Sequence, residues 1–209
     1  SKNIAEIGFQ MNTHAIGDST ISFLVKNYNK ILNKIEDPRW RIEHSQVIDS
    51  IDFKLYNNKV LPSVQPTHAT SDMNWADERL GERIHGAYAF KDLLNSSNKI
   101  ALGTDFPVER VNPFYTFYSS VERKDLFGYP KNGFQKENSL TREETLKGMT
   151  IWGAYFNFEE NEKGSLEIGK AADFIIINQD IMVIDAELIP KTKVLKTFVD
   201  GEIVYNLND

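Results

Sequence analysis

Three side chains able to bind a divalent metal stand where strand-like segments stop. His14 follows EIGFQMNT, His44 follows WRIE, and Asp105 follows IALGT. Two neutral imidazoles and a carboxylate suit Zn²⁺ and similar metals. Such an ion lowers the pKa of water to near 7, and a carboxylate beside it is placed to take the proton. His14 and His44 lie 30 residues apart, about one strand–helix unit, so their strands can be neighbours. Each residue also has a quieter reading. A strand-end His can serve as an ordinary hydrogen-bonding residue, His44 can pair with Glu43 or Arg41, and Asp105 can cap the turn after Gly-Thr. What favours chemistry is the coincidence at three strand ends, because parallel α/β proteins collect their functional groups there.

The elements that must position these residues follow from hydrophobic spacing. Residues 6–13 read as a strand. Ile21, Leu24, Val25, Tyr28, Ile31, Leu32 and Ile35 share one helical face, with Asp18 or Ser19 as cap and Pro38 as breaker. Trp40–Glu43 reads as a strand and residues 49–58 as a short amphipathic helix. Val60–Gln65 reads as a strand stopped by Pro66, and a polar loop with Asp72, Asn74 and Asp77 follows. Residues 86–96 are helix-like, and Ile100–Thr104 is a strand. Asn112-Pro113 opens a helix that buries Phe114, Phe117, Tyr118 and Val121. Thr141 and Glu144 form a capping box for a helix to about Phe156, after a polar loop over 125–140. Ala172–Ile177, Val194–Val199 and Ile203–Tyr205 are strand-like, the last two joined by Asp200-Gly201, a hairpin signal. The alternation predicts an α/β fold with parallel strands, followed by a small β appendage.

Composition narrows the possibilities. The net charge of −6, with no basic stripe, argues against nucleic acid and against an anionic membrane surface as partners. With no cysteine, thiolate metal sites and disulfides are excluded. No stretch is apolar and long enough to span a bilayer. Nucleotide-binding glycine loops and the serine-hydrolase elbow are absent. His68, in QPTHA, and Asp72 beyond it are weaker candidates for substrate contact. His85 beside Gly86 reads as a turn residue, and Arg39 and Arg41 as surface pairing groups.

Five strings occur in order: MNTHAIGDST, RWRIEHSQVID, LPSVQPTHATSD, ALGTDFPVERVNPF and GSLEIGKAADFIIIN. Together they resemble the metal-dependent amidohydrolase superfamily, in the branch of N-substituted formamide deformylase and exoenzyme-regulatory-like proteins. The resemblance implies a distorted (β/α)₈ TIM-like barrel with a small β-sandwich built from both chain ends. It implies that His14 and His44, ending the fifth and sixth strands, ligate one metal. Asp105, ending the eighth, is then expected to touch the metal and to act as general base and acid. Gln65 and His68 fall at the seventh strand, near the expected substrate pocket. The first-strand H-x-H pair and the fourth-strand bridging residue of that family have no counterpart here.

The expected organisation is therefore a C-terminal half barrel over 1–158 and a β-sandwich portion over 159–209. The expected function is part of a hydrolase of amide-like C–N bonds, inactive as this chain alone. The alternatives are a non-catalytic amidohydrolase-like binding or regulatory protein, and a complete small α/β domain that binds metal without hydrolysis. The resemblance implies a divalent cofactor, zinc above others, as one or two ions in the full-length protein. It implies a small-molecule substrate, with pairing to a missing N-terminal half or a homodimer through the edge near residues 6–13. Cytoplasmic and exported locations are equally compatible.

Overall fold

The computed structural model describes residues 1–208. Strands β1 (Asn12–Ala15), β2 (Trp40–His44), β3 (Val60–Val64) and β4 (Ala101–Leu102) lie side by side in that order, all parallel. The register pairs His14 with Glu43, Glu43 with Ser63, and Ser63 with Ala101. Each crossover contains helical turns, as parallel pairing requires. The longest is α2 (Asp18–Leu32), which joins β1 to β2.

Alternation gives the sheet two unlike faces. Ala15, Trp40, Ile42, Val60 and Val64 are buried against Ile21, Val25, Tyr28 and Leu32 of α2 and against α5 (Phe90–Ser97). The Tyr28 and Trp40 rings meet edge to face at 4.9 Å. Each branched aliphatic buried in this layer contributes about 1.5–3 kcal/mol relative to exposure. The other face carries Asn12, His14, Arg41, Glu43 and Ser63, none of them fully buried, together with the buried Leu61. Arg41 spans it, reaching Glu43 at 3.1 Å, Asn12 at 2.9 Å and Asn157 at 2.6 Å.

Several elements differ from expectation. Residues 2–6 form a short helix, α1 (Lys2–Glu6), and the first strand is confined to Asn12–Ala15. The apolar residues Ile7 and Phe9, which suggested a longer strand, are exposed. Of the helix expected over 49–58, only a single tight turn forms at Phe53–Leu55. The polar stretch after β3 is largely helical: α3 (Pro66–Asp72), then α4 (Ala76–Leu80) and a 3₁₀ turn at Gly81–Gly86. Pro66 ends the strand as expected, and it also occupies the first helical position, where its missing N–H costs nothing. Asp18 begins α2 one residue after its cap, Gly17, and its carboxylate accepts from the Ser19 amide and from Arg83.

Asn112 caps α6 (Pro113–Glu122) by accepting from the Phe114 amide. The capping box of Thr141 and Glu144 is formed and starts α7 (Arg142–Met149). The predicted single helix to Phe156 is broken at Thr150 (φ −128°, ψ −97°), where α8 (Ile151–Phe156) begins. Gly148 lets α7 approach β4: a Cβ there would lie 2.7 Å from the Leu102 side chain. A second, antiparallel sheet holds β5 (Phe174–Ile177), β6 (Val194–Val199) and β7 (Glu202–Asn206), with the last two joined at Asp200-Gly201 as predicted. Phe114, Phe117 and Tyr118 of α6 pack with Ile181 and Ile189 in a second apolar cluster. Arg142 ties the same segment to α7 by donating to the carbonyls of Ile181 and Ile184.

Candidate metal centre

His14, His44, Gln65, His68 and Asp105 gather at or just past the C-terminal ends of the parallel strands. His14 is the third residue of β1, His44 ends β2, and Gln65 follows β3 directly. His68 lies in the first turn of α3, and Asp105 lies three residues past β4. By alternation His44 belongs with Trp40 and Ile42 on the helix-covered face. Its backbone leaves the extended region at that residue (φ 71°), as does the next, Ser45 (φ 42°). The ring is thereby brought edge-on to His14, which belongs to the opposite face, with centroids 4.6 Å apart. Asp105 is also left-handed (φ 59°). Such conformations cost a non-glycine residue on the order of 1–3 kcal/mol and collect at functional sites.

One group of three has metal-binding geometry. A ligand atom from each of His44, His68 and Asp105 lies within 4.8 Å of the other two. The rings of His44 and His68 stack at 5.9 Å with planes 17° apart. His68 Nε2 is 3.6 Å from Asp105 Oδ2, too long for a hydrogen bond. This nitrogen is buried and has no hydrogen-bond partner. A buried polar atom left without a partner costs about 1–3 kcal/mol unless something else satisfies it. A cation or a bound substrate would do so, since a ligand atom from each of two imidazoles and a carboxylate converges on one place. The residues present therefore fit a divalent metal.

His14, expected to be a ligand beside His44 and Asp105, touches His44 but stands outside the group of three. His68, expected at the substrate pocket, stands inside it. Gln65 faces His44, with Oε1 2.8 Å from the ring Nδ1. His85 is exposed in the 3₁₀ turn beside Glu82, away from the other three histidines. Arg39, read as a surface pairing group, is buried at the opposite end of the sheet.

A supporting network was not visible in the sequence. The Tyr88 hydroxyl donates to Asp72 Oδ2 at 2.8 Å, and Gln46 Nε2 lies 3.1 Å from that hydroxyl and 3.3 Å from Asp72. Burial, with Asp72 adding to it, pushes the Tyr88 phenol far up, so it stays a donor at physiological pH. These bonds tie the turn after His44 to the far end of α3, the helix that carries His68. Ile48 and Gly86 reinforce the same turn: the Ile48 amide donates to the Gly86 carbonyl at 2.9 Å. A Cβ on Gly86 would lie 1.9 Å from the Ile48 oxygen, so glycine is required there.

The family model of amidohydrolases matches residues 2–205. The chain belongs to the amidohydrolase family. It is 30% identical over 208 residues to the protein named YtcJ from Bacillus subtilis (strain 168), covering 96% of this chain and 38% of that protein. It is 21% identical to N-substituted formamide deformylase from Arthrobacter pascens, covering 96% of this chain and 37% of that enzyme. Among solved structures, an uncharacterized metal-dependent hydrolase from Pyrococcus horikoshii OT3 superposes with a TM-score of 0.72 at 27% identity. That match covers 87% of this chain and 36% of the other. This amidohydrolase chain thus spans well under half the length of the relatives it matches. Its α/β fold with a parallel sheet is shared with metal-dependent hydrolases.

Proposed function

We propose that these residues form the C-terminal half of a (β/α)₈ barrel, with strands of a small β-sandwich, in a hydrolase of amide-like C–N bonds. The observation that carries this is the convergence of His44, His68 and Asp105 beyond the C-terminal ends of a parallel sheet, with His14 against His44. The half-barrel reading has its own support. An all-parallel sheet ordinarily has both faces covered. Here one face is mostly polar and partly open, and β1 and β4 stand at the edges of the sheet among the described residues. A barrel interior matches that polar face. Further strands beyond these 209 residues, or a second copy of the chain, would satisfy the edges. Residues 1–158 correspond to the half barrel and 159–209 to the sandwich portion.

In this reading His14, His44 and Asp105 hold the metal, zinc by the chemistry of the donors, and His68 turns its unpartnered nitrogen toward the same place. A metal bound there would supply Lewis acidity, able to polarise a carbonyl and to make water a nucleophile at neutral pH. Asp105 takes the proton from the attacking water and returns it to the leaving amine nitrogen. His68, 3.6 Å from Asp105, is within reach of the same substrate. The free edges and the lack of the first-strand H-x-H pair and of the fourth-strand bridging residue accord with little or no turnover by this chain alone.

The test is the metal content of the 209-residue chain purified without chelator, beside its His44→Ala variant. Bound zinc in the first and a loss of at least tenfold in the second supports the centre. Equal zinc in both places the ion elsewhere and removes this reading. Zinc in neither removes the centre as a site these residues can form by themselves.

A further inference from the structure

A neutral imidazole offers a lone pair on only one ring nitrogen, and the tautomer decides which. An unconstrained histidine side chain favours the proton on Nε2, which leaves the lone pair on Nδ1. In this chain Nδ1 of His44 is engaged instead, 2.8 Å from Oε1 of Gln65. Gln65 is 8% exposed, the last extended residue (φ −124°, ψ 102°) before Pro66 opens α3. A carbonyl oxygen only accepts. Nδ1 must then carry the proton, and Nε2 is the nitrogen left free to meet an ion.

The ring's other neighbours cannot make this choice. His68 lies nearly parallel to the ring and His14 meets it in a T-shaped contact, so together they restrain its plane. A half turn about χ2 keeps that plane but exchanges Nδ1 with a ring carbon. Only a polar partner distinguishes the two states, and Gln65 is the side chain hydrogen-bonded to the ring. If the amide were reversed, its NH₂ group would require an acceptor at Nδ1. The proton would then sit on Nε2, and His44 would lose its place in the metal group.

We propose that Gln65 is a positioning residue: through Nδ1 of His44 it fixes the tautomer and ring orientation that make His44 a ligand. This rests on reading His44 as a ligand. Outer-shell partners of this kind typically change metal affinity about 10- to 100-fold when removed.

The test is a long-range ¹H–¹⁵N correlation spectrum of the metal-free chain, labelled in histidine, at about pH 8, where an ordinary imidazole is neutral. His44 is assigned by its disappearance in His44→Ala. The expected spectrum shows His44 protonated on Nδ1. In Gln65→Leu the proton moves to Nε2, and zinc affinity falls about 10- to 100-fold. In Gln65→Glu, which keeps an acceptor oxygen, both return. A His44 protonated on Nε2 in the unsubstituted chain overturns the proposal without any variant having to fold. So does a folded Gln65→Leu that keeps the Nδ1 proton and its zinc affinity. Because the tautomer is read without metal, its failure is separable from a failure to bind zinc.

Discussion

The two ends of the parallel sheet are built on opposite principles. At the N-terminal end, polar groups find partners within the chain. The Arg39 guanidinium donates to Asp37, to Glu160 and to the Tyr155 carbonyl, and it lies over the Tyr155 and Phe158 rings at 3.7 and 4.4 Å. Gln10 donates to the carbonyls of Arg39 and Phe156, and the Trp40 indole donates to Phe9. Burial works to lower the Arg39 guanidinium, but Asp37 and Glu160 outweigh it and the group stays raised. At the C-terminal end, His68 Nε2 and Thr67 Oγ1 are buried without partners. Arg39 is left-handed too (φ 45°), yet there the conformation places a fully engaged side chain. At His44 and Asp105 it places two of the three side chains whose ligand atoms lie within 4.8 Å of one another. One end is satisfied within the chain and the other is left partly unsatisfied, the division that the proposed barrel would show.

Removing the centre of the N-terminal latch should have the largest effect. Arg39→Ala deletes three charged or carbonyl contacts and the aromatic cover. Its acidic partners, Asp37 and Glu160, are left partly exposed rather than stranded. The expected loss is about 2–3 kcal/mol, the scale of hydrogen bonds to charged groups. For a chain of this size that lowers the thermal midpoint by roughly 4–12 °C. Zinc bound at 25 °C should not change. A midpoint unmoved in calorimetry would show that the latch stabilises nothing, and a loss of zinc would show that the two ends are coupled.

The converse substitution separates the ends from the other side. Asp105→Asn keeps the size of the side chain and a residue type that tolerates the left-handed region. It removes no hydrogen bond to another side chain, since His68 is 3.6 Å away. Unfolding free energy without metal should stay within about 0.5 kcal/mol. Zinc affinity should fall at least tenfold, because a neutral amide replaces the only carboxylate of the group. A large loss of stability in the metal-free chain would instead make Asp105 a structural residue.

Most of the fold was legible because its signals are local. The apolar stripe of α2, Pro113 after Asn112, the box of Thr141 and Glu144, and Asp200-Gly201 each act within a few residues. Misreadings arose where local signals point two ways. Pro66 reads equally as a strand stop and as a helix start, and the structure uses both. The residues of the site were legible as strand-end positions, but their grouping was not. Whether His14 or His68 stands with His44 and Asp105 depends on a left-handed turn at His44 and on where α3 points. The bond of Gln65 to His44 spans 21 residues, and that of Gln46 to Tyr88 spans 42. No spacing rule announces such pairs, because tertiary packing makes them.

A finer test of the latch is its response to acid. Arg39 holds the Glu160 carboxyl below its ordinary value of 4.5, chiefly through their hydrogen bond and against some desolvation. A lowered carboxyl stabilises the fold fully above the unfolded value, where both states are ionised. As pH falls below about 4.5, the unfolded chain takes up its proton first, and the contribution is lost until the folded carboxyl titrates as well. Glu160→Gln should therefore be less stable than the parent chain at pH 7, and the gap should close as pH falls through this window. Raising the salt concentration should narrow the gap at pH 7 as well, since Glu160 is partly exposed. Urea unfolding of both chains from pH 7 to pH 3 measures this directly. Parallel curves across the window would mean that the pairing of Arg39 with Glu160 contributes nothing, leaving the aromatic cover and the Tyr155 carbonyl to hold the N-terminal end.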